Sequence, residues 1–306
     1  MVQPLPEFVP PMLAKLGEPF DSEQHLFEIK WDGMRAMAHV GAGASLRLVN
    51  RHRHELAGHF PELSFLVELE PGVVIDGELI VAAGPKGKPD FGAIMRRRHA
   101  KSPVTVQSLA RQSPASFVAF DLLYRRFRPV FEQPLQERRA QLAEVVGACE
   151  RPDLVFSDGV IGNGHALFQQ VCAEELEGIV AKRLDSTYRP GARTETWVKI
   201  KRRQTAVCLI LGYLPDGEHD FRSLIIAMDD GGTLRAVGQV GGGIREAQRR
   251  RLNELLRQRP RAEPLVSTDA AGKWVEPGLY CTVTYLERTV HGGLRGPVFV
   301  DLLEED

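Results

Sequence analysis

The sequence predicts an α+β protein, a larger antiparallel-sheet domain followed by a small β-barrel domain. Three observations predict it. Short apolar runs with strand-like alternation recur along the chain, only a few helical patterns interrupt them, and the texture changes after Lys201-Arg202-Arg203-Gln204 to short strands joined by hairpin turns. This puts the boundary between two domains, residues 1–203 and 204–306. At 306 residues and 43% hydrophobic, the chain holds enough apolar material for two cores.

The proline-rich opening through Pro10-Pro11-Met12-Leu13 reads as an extended arm, because proline removes backbone donors. Phe27–Lys30 and Arg35–Val40 flank an Asp32-Gly33 turn and are expected to form a hairpin, with Ser45–Asn50 as a further strand. Pro61–Leu66 suggests a short helix entered at a proline. The runs Val73–Val81 and Ser116–Tyr124 are apolar strands that carry acids: Asp76 and Glu78 in the first, Asp121 in the second. Carboxylates in a core strand need a reason. Gly84–Lys88 reads as a turn, and Phe91–Arg98, Gln136–Val146 and Gly164–Glu175 as helices. Gly178–Lys182 and Thr196–Lys201 are buried strands. In the second domain Cys208–Tyr213, Ser223–Met228 and Leu234–Val240 form a meander, Glu246–Gln258 is a basic helix, and Tyr280–Leu286 and Pro297–Leu302 close a Greek-key barrel of the OB type.

A formal net charge of -1 excludes a global field that draws in polyanions, so any such site must come from local clustering of the 39 lysines and arginines. The four cysteines are scattered without C-x-x-C spacing, which points away from zinc sites and disulfide frameworks. No run reaches membrane-spanning length, so a cytoplasmic protein without membrane contact is expected.

The chemistry centres on Glu28-Ile29-Lys30-Trp31-Asp32-Gly33-Met34-Arg35. Lys30 lies between apolar Ile29 and Trp31, neighbours that disfavour the ammonium form and make the amine available as a nucleophile. The ordinary alternative is a strand-end lysine reaching to water. Lys30, Glu78, Glu177, Lys182, Lys199 and Lys201 all sit at ends of predicted strands, and alternation puts Lys199 and Lys201 on one face with Trp197. Together they suggest a cleft for a phosphate chain and a divalent metal.

Six segments then resemble, in order, the motifs of the covalent nucleotidyltransferases. Lys30–Arg35 matches K-x-D-G-x-R, followed by Arg51, Asp76-Gly77-Glu78, Phe120–Tyr124, Glu177–Lys182 and Trp197–Lys201. The chain resembles an ATP-dependent DNA ligase, most closely the ligase module of the bacterial ligase D class, whose flanks look like Pro11–Ala14 and Leu294–Phe299. The resemblance implies an antiparallel nucleotidyltransferase (adenylation) domain followed by an OB-fold domain. It implies ATP as cofactor and a covalent AMP on Lys30, with Asp32, Arg35, Lys199 and Lys201 completing the catalytic set. Adenine would lie between Phe120 and Val180, with Glu28 and Ile29 beside it; Phe120 as a core side chain is the alternative. Arg35, Arg51 and Glu78 would hold ribose and the nick phosphate, and Lys182 would join this shell. Arg193 either touches triphosphate or occupies a solvated loop. Glu78 and Glu177 would surround Mg2+, or Mn2+ in its place.

The implied partner is nicked duplex DNA sealed at 5′-phosphate/3′-hydroxyl ends by a monomer, with a DNA end-binding repair protein as a further partner. An RNA ligase, and a non-catalytic or adenylation-impaired nick-binding protein, are the alternatives. Two departures stand out. The subgroup ends in R-x-D-K, whereas Leu303 and Asp306 occupy the arginine and lysine positions here; either another cation such as Arg202, Arg203 or Arg288 substitutes, or first-step adenylation is slow, or the protein depends on pre-adenylated nicks. Arg53 stands where a glycine is usual. His52, His54 and His59 suit a surface loop better than a metal site, and the runs Arg96–Lys101 and Arg245–Arg251 are either solvated or face DNA.

Overall fold

The computed structural model describes residues 4–83, 87–217, 220–289 and 291–303. The chain divides into two compact units, Met1–Arg202 and Arg203–Asp306. The expected turn over Gly84–Lys88 lies partly outside the described residues, as do Glu304–Asp306.

The first unit contains strands β1 (Leu13–Leu16), β2 (Ser22–Ile29), β3 (Met34–Val40), β4 (Leu46–Asn50), β5 (Val73–Ala83), β6 (Lys88–Pro89), β7 (Ala115–Arg125), β8 (Arg128–Pro129), β9 (Leu154–Phe156), β10 (Gly159–Gly162), β11 (Gly178–Arg183) and β12 (Arg193–Lys201). Four helices join them: α1 (Phe91–His99), α2 (Pro103–Gln112), α3 (Leu135–Gly147) and α4 (Gly164–Ala173). One sheet has the order β1-β12-β11-β2-β10, and a second runs β4-β3-β5-β7-β8 with β6 and β9 attached. Most pairs are antiparallel, β1–β12 and β7–β9 being parallel.

The expected hairpin does not form. Strand β2 pairs with β10 and β11, whereas β3 pairs with β4 and β5 in the other sheet. A Cβ on Gly33 would lie 2.1 Å from the Leu79 carbonyl oxygen, so the turn presses against β5 and carries the chain across from one sheet to the other. Lys30 therefore sits where the two sheets meet.

Other differences have local causes. Helix α2 escapes the sequence reading because a basic run precedes it. Ser102 caps it by accepting from the Thr105 amide at 3.1 Å. Pro61–Glu68 is a 3₁₀ helix, and the end of the expected arm, Leu13–Leu16, becomes the edge strand β1.

The acids in the core strands also find their reason. Asp76 takes a two-pronged bond from Arg35, and fully buried Asp121 takes one from fully buried Arg138 at 2.8 Å on each oxygen. The main core gathers Ala36, Ala38, Val73, Ile75, Phe117 and Leu142 on one face of the second sheet. Met12, Met37, Tyr188 and Trp197 form a smaller cluster.

The second unit consists of β13 (Gln204–Asp216), β14 (Asp220–Asp229), β15 (Leu234–Val240), α5 (Glu246–Gln258), β16 (Pro260–Arg261), β17 (Lys273–Val275), β18 (Tyr280–Tyr285), β19 (Glu287–Arg288), β20 (Leu294–Arg295) and β21 (Val298–Leu303). Its main sheet curls as an OB-like half-barrel around Cys208, Phe221, Leu224, Val283 and Phe299. Helix α5 buries Leu252 and Leu256, while Arg249, Arg250 and Arg251 pair with Asp220, Glu246 and Glu254. Cys208 and Cys281 face each other across β13 and β18 as free thiols, and burial pushes them up to about 11 and about 12, which makes both poor nucleophiles. Among the described residues no helix is long and apolar enough to cross a membrane.

Candidate active site

A cavity of about 520 Å³ in the first unit draws side chains from both sheets. Its lining includes Glu28, Ile29, Lys30, Asp32, Arg35, Arg51, Glu78, Phe120, Glu177, Val180, Lys182, Arg193 and Lys199. Lys201 is not among the lining residues and joins through Glu177. Sheet register explains the first wall: Val180 lies opposite Glu28 on one side and Lys199 on the other, and Lys182 lies opposite Trp197. Side chains directly across a ladder share a face, so these residues all point into the cavity.

Phe120 reaches the cavity through a bulge. Asp76 pairs with Asp121 but Gly77 pairs with Ala119, which leaves Phe120 as the extra residue. A Cβ on Gly77 would lie 2.5 Å from the Phe117 ring, so the glycine of Asp76-Gly77-Glu78 lets the two strands close at the bulge. The Lys182 ammonium stands 4.4 Å from the Phe120 ring centroid and 4.5 Å from that of Trp197.

At one end Glu28 is buried and saturated. It accepts from Arg139 Nη1 at 2.5 Å and Lys182 Nζ at 2.7 Å. Arg139 also donates to the carbonyls of Ser157 at 2.6 Å and Phe120 at 3.2 Å. Burial lowers the Lys182 pKa, and Glu28 opposes that shift.

At the other end the Lys30 amine meets a carboxylate rather than an apolar wall. Its Nζ donates to Glu177 Oε2 at 2.5 Å, and Lys201 Nζ lies 3.0 Å from Glu177 Oε1. Burial, with the Glu177 and Asp76 charges adding to it, pushes the Glu78 carboxyl up to about 8 against the pull of Lys30 and Arg35. Asp32 is raised as well, by burial and then by Glu177.

The arginines divide. Arg35 is committed to Asp76 at 2.9 and 2.5 Å and to the Met12 carbonyl at 2.6 Å, so it braces the site. Arg193 donates to the Ala14 carbonyl at 2.7 Å, and exposed Arg51 contacts His52. The substitutes suggested for the missing C-terminal cation are engaged too: Arg202 with the Leu176 carbonyl, Arg203 with that of Gly296 and Arg288 with Asp230.

Sequence reasoning missed Arg139, Ser157 and the cavity-lining residues Phe91 and Met95 of α1, and it read Arg98, which also lines the cavity, only as part of a solvated or DNA-facing basic run. A signal for the first existed, since Arg138-Arg139 interrupts the apolar face of α3. Arg97 of the basic run is buried on Glu62 and serves structure. Among the described residues no three His, Cys, Asp or Glu side chains converge as a metal cage. The pair Glu78 and Glu177 nevertheless suits magnesium, which takes one or two carboxylates and completes its shell with water and substrate phosphate.

Residues 11–201 match the family described as ATP dependent DNA ligase domain, and residues 217–306 match ATP dependent DNA ligase C terminal region. The multifunctional non-homologous end joining protein LigD of Mycolicibacterium smegmatis is 33% identical over 95% of this chain, which spans 38% of that protein. The SPbeta prophage-derived DNA ligase-like protein LigB of Bacillus subtilis is 30% identical, covering 95% of this chain and 98% of its own. The crystal structure of the ligase domain of M. tuberculosis LigD superposes with a TM-score of 0.60 at 30% identity, covering 97% of this chain and 95% of that one. A mycobacterial DNA ligase D complexed with ATP and MES does so at 0.58, also at 30% identity and covering 98% and 96%.

Proposed function

We propose, for a chain that belongs to the ATP-dependent DNA ligase family, that it seals 5′-phosphate/3′-hydroxyl nicks in duplex DNA through an AMP carried on Lys30. The observation that carries this reading is the Lys30 amine at the junction of the two sheets, with Glu78, Phe120, Glu177, Val180 and Lys199 lining one cavity.

In the first step Lys30 Nζ attacks the α-phosphorus of ATP. A P–N bond forms, the bond to the pyrophosphate oxygen breaks, and the ammonium loses two of its three protons to solvent. Phe120 and Val180 sandwich adenine beside Glu28 and Ile29, while Arg51 and Arg193 contact ribose and phosphate. Lys199 and Lys201 neutralise charge as it builds in the in-line displacement, and Asp32 holds the turn that aims Lys30. A nick 5′-phosphate oxygen then takes the AMP, breaking P–N and returning a proton to the amine. Attack by the 3′-hydroxyl finally expels AMP.

Glu78 and Glu177 would hold magnesium, which when bound supplies positive charge beside the reacting phosphates. Glu177 accepts from Lys30 Nζ at 2.5 Å and would have to release the amine before it acts as a nucleophile. We place the protein in the cytoplasm as a monomer acting in DNA repair, recombination or replication, with a DNA end-binding protein as partner; the end-joining name of its relatives supports this.

Incubation with α-labelled ATP and magnesium is expected to label wild type covalently and leave Lys30→Ala unlabelled, a loss of at least about 10³-fold. Wild type that takes no label and does not seal pre-adenylated nicks would sink the reading. Parallel DNA and RNA nicks separate a DNA ligase from an RNA ligase.

A further inference from the structure

Arg53 stands at a position where its backbone is strained, φ +65°, and where the resembling subgroup uses glycine. A side chain kept at such a place must return something. Its guanidinium carbon lies 5.0 Å from the ring centroid of Phe8 in the N-terminal arm. Arg47, on the strand leading into the same loop, donates to the Glu7 carbonyl at 2.9 Å. The loop is braced internally: Asn50 Oδ1 accepts from the amides of His52 at 2.9 Å and His54 at 3.0 Å, and the Arg53 amide donates to the Asn50 carbonyl. Arg51 rides on that loop.

The same arm holds two more of the cavity's four arginines. Arg35 donates to the Met12 carbonyl at 2.6 Å, Arg193 to the Ala14 carbonyl at 2.7 Å, and the Met12 amide donates to the Tyr188 hydroxyl at 2.9 Å. Three arginines from three separate elements thus take their bearings from eight consecutive residues.

We infer that the arm Glu7–Ala14 is the positioning element for three of the cavity's arginines, Arg35, Arg51 and Arg193, and that Phe8 and Arg53 are its clasp on the loop carrying Arg51. The inference rests on the reading of Lys30 as the AMP-accepting residue. Phe8 lies outside the cavity lining; the arm acts by setting where Arg51, Arg35 and Arg193 stand when ATP arrives.

The test is single-turnover labelling of Lys30 at varied ATP concentration in the full chain, for wild type, Phe8→Ala, Arg53→Gly and the double variant. Each single variant is expected to raise the half-saturating ATP concentration about 2- to 5-fold, the worth of one exposed cation–π contact. The rate at saturation stays within about 2-fold, and the double variant shifts no further than either single one. The Tm of Arg53→Gly does not fall, since glycine relieves the left-handed backbone.

Shifts that multiply in the double variant, or half-saturation that does not move, would overturn the clasp. A lowered Tm with a lowered saturated rate and no change in half-saturation would assign the pair to folding alone. Wild type that takes no label fails the Lys30 reading and the arm inference with it. A labelled wild type without the coupled shift fails only the arm inference.

Discussion

The two ends of the cavity are built on opposite principles. At the Glu28 end the carboxylate, the Lys182 ammonium and the Arg139 guanidinium are buried, and each has partners from a different element: β2, β11, α3 and the Phe120 and Ser157 carbonyls. At the Lys30 end the side chains are about a fifth exposed, 23% for Lys30 and 21% for Glu177, and carboxyl groups crowd together. The difference teaches a division of labour. A closed, satisfied network costs nothing to reorganise and so suits recognition of a rigid base. At the open end burial raises the Glu78 and Asp32 carboxyls even against the pull of Lys30, and such perturbed, partly exposed acids suit a place where phosphates come and go.

Three substitutions would break or sharpen this contrast. The largest effect belongs to Glu28→Gln, which leaves two buried cations facing each other without a counter-charge. Denaturant unfolding is expected to show a loss of about 3–5 kcal/mol for the first unit. A change below about 1 kcal/mol would mean the closed end is wetter than its burial implies.

Glu177→Gln makes the matching cut at the open end. Stability is expected to move by no more than about 1 kcal/mol, because solvent screens the partners. Single-turnover labelling of Lys30 is expected to slow about 10²-fold, as for loss of one electrostatic stabiliser. If the stability loss matched that of Glu28→Gln, the two ends would not differ as described.

The third cut is read in pH dependence. Glu78 stays protonated in the folded protein until about 8, against an ordinary value of 4.5 in the unfolded chain. Between these values the folded state holds the extra proton, so stability falls as pH rises, by at most about 1.36 kcal/mol per pH unit. Glu78→Gln is expected to flatten that slope in metal-free calorimetry. Magnesium is expected to raise Tm more at pH 8 than at pH 6 in wild type, because it replaces the proton. Equal slopes in the two proteins would remove Glu78 from the account.

Much of the fold was legible because strand and helix patterns are local. The strands Val73–Val81 and Ser116–Tyr124 and the helix Glu246–Gln258 announce themselves by alternation or by helical spacing. The relation of Phe27–Lys30 to Arg35–Val40 was not, since a turn between two alternating runs looks the same whether the chain folds back or crosses to another sheet. Gly33 shows which happened only once Leu79 is known to lie against it.

The site divides in the same way. Lys30, Glu78, Phe120, Glu177, Val180, Lys182 and Lys199 belong to motifs whose order along the chain is itself the signal, and all seven line one cavity. Arg139 and Ser157 lie in segments with no motif, and their part comes from reaching Glu28 across 111 and 129 positions of sequence. Arg35 reads from sequence as a phosphate-binding arginine, yet the fold spends its guanidinium on Asp76 and the Met12 carbonyl.

By itself, then, the sequence determined the family and the two-part α+β architecture, because these rest on the order of motifs and on local strand and helix patterns. Only the tertiary structure decided which charges face one another. Ion pairs such as Lys30–Glu177 and Glu28–Arg139 act over 2.5 Å of space between residues far apart in the chain, and it is that contact which leaves one end of the cavity closed and the other open.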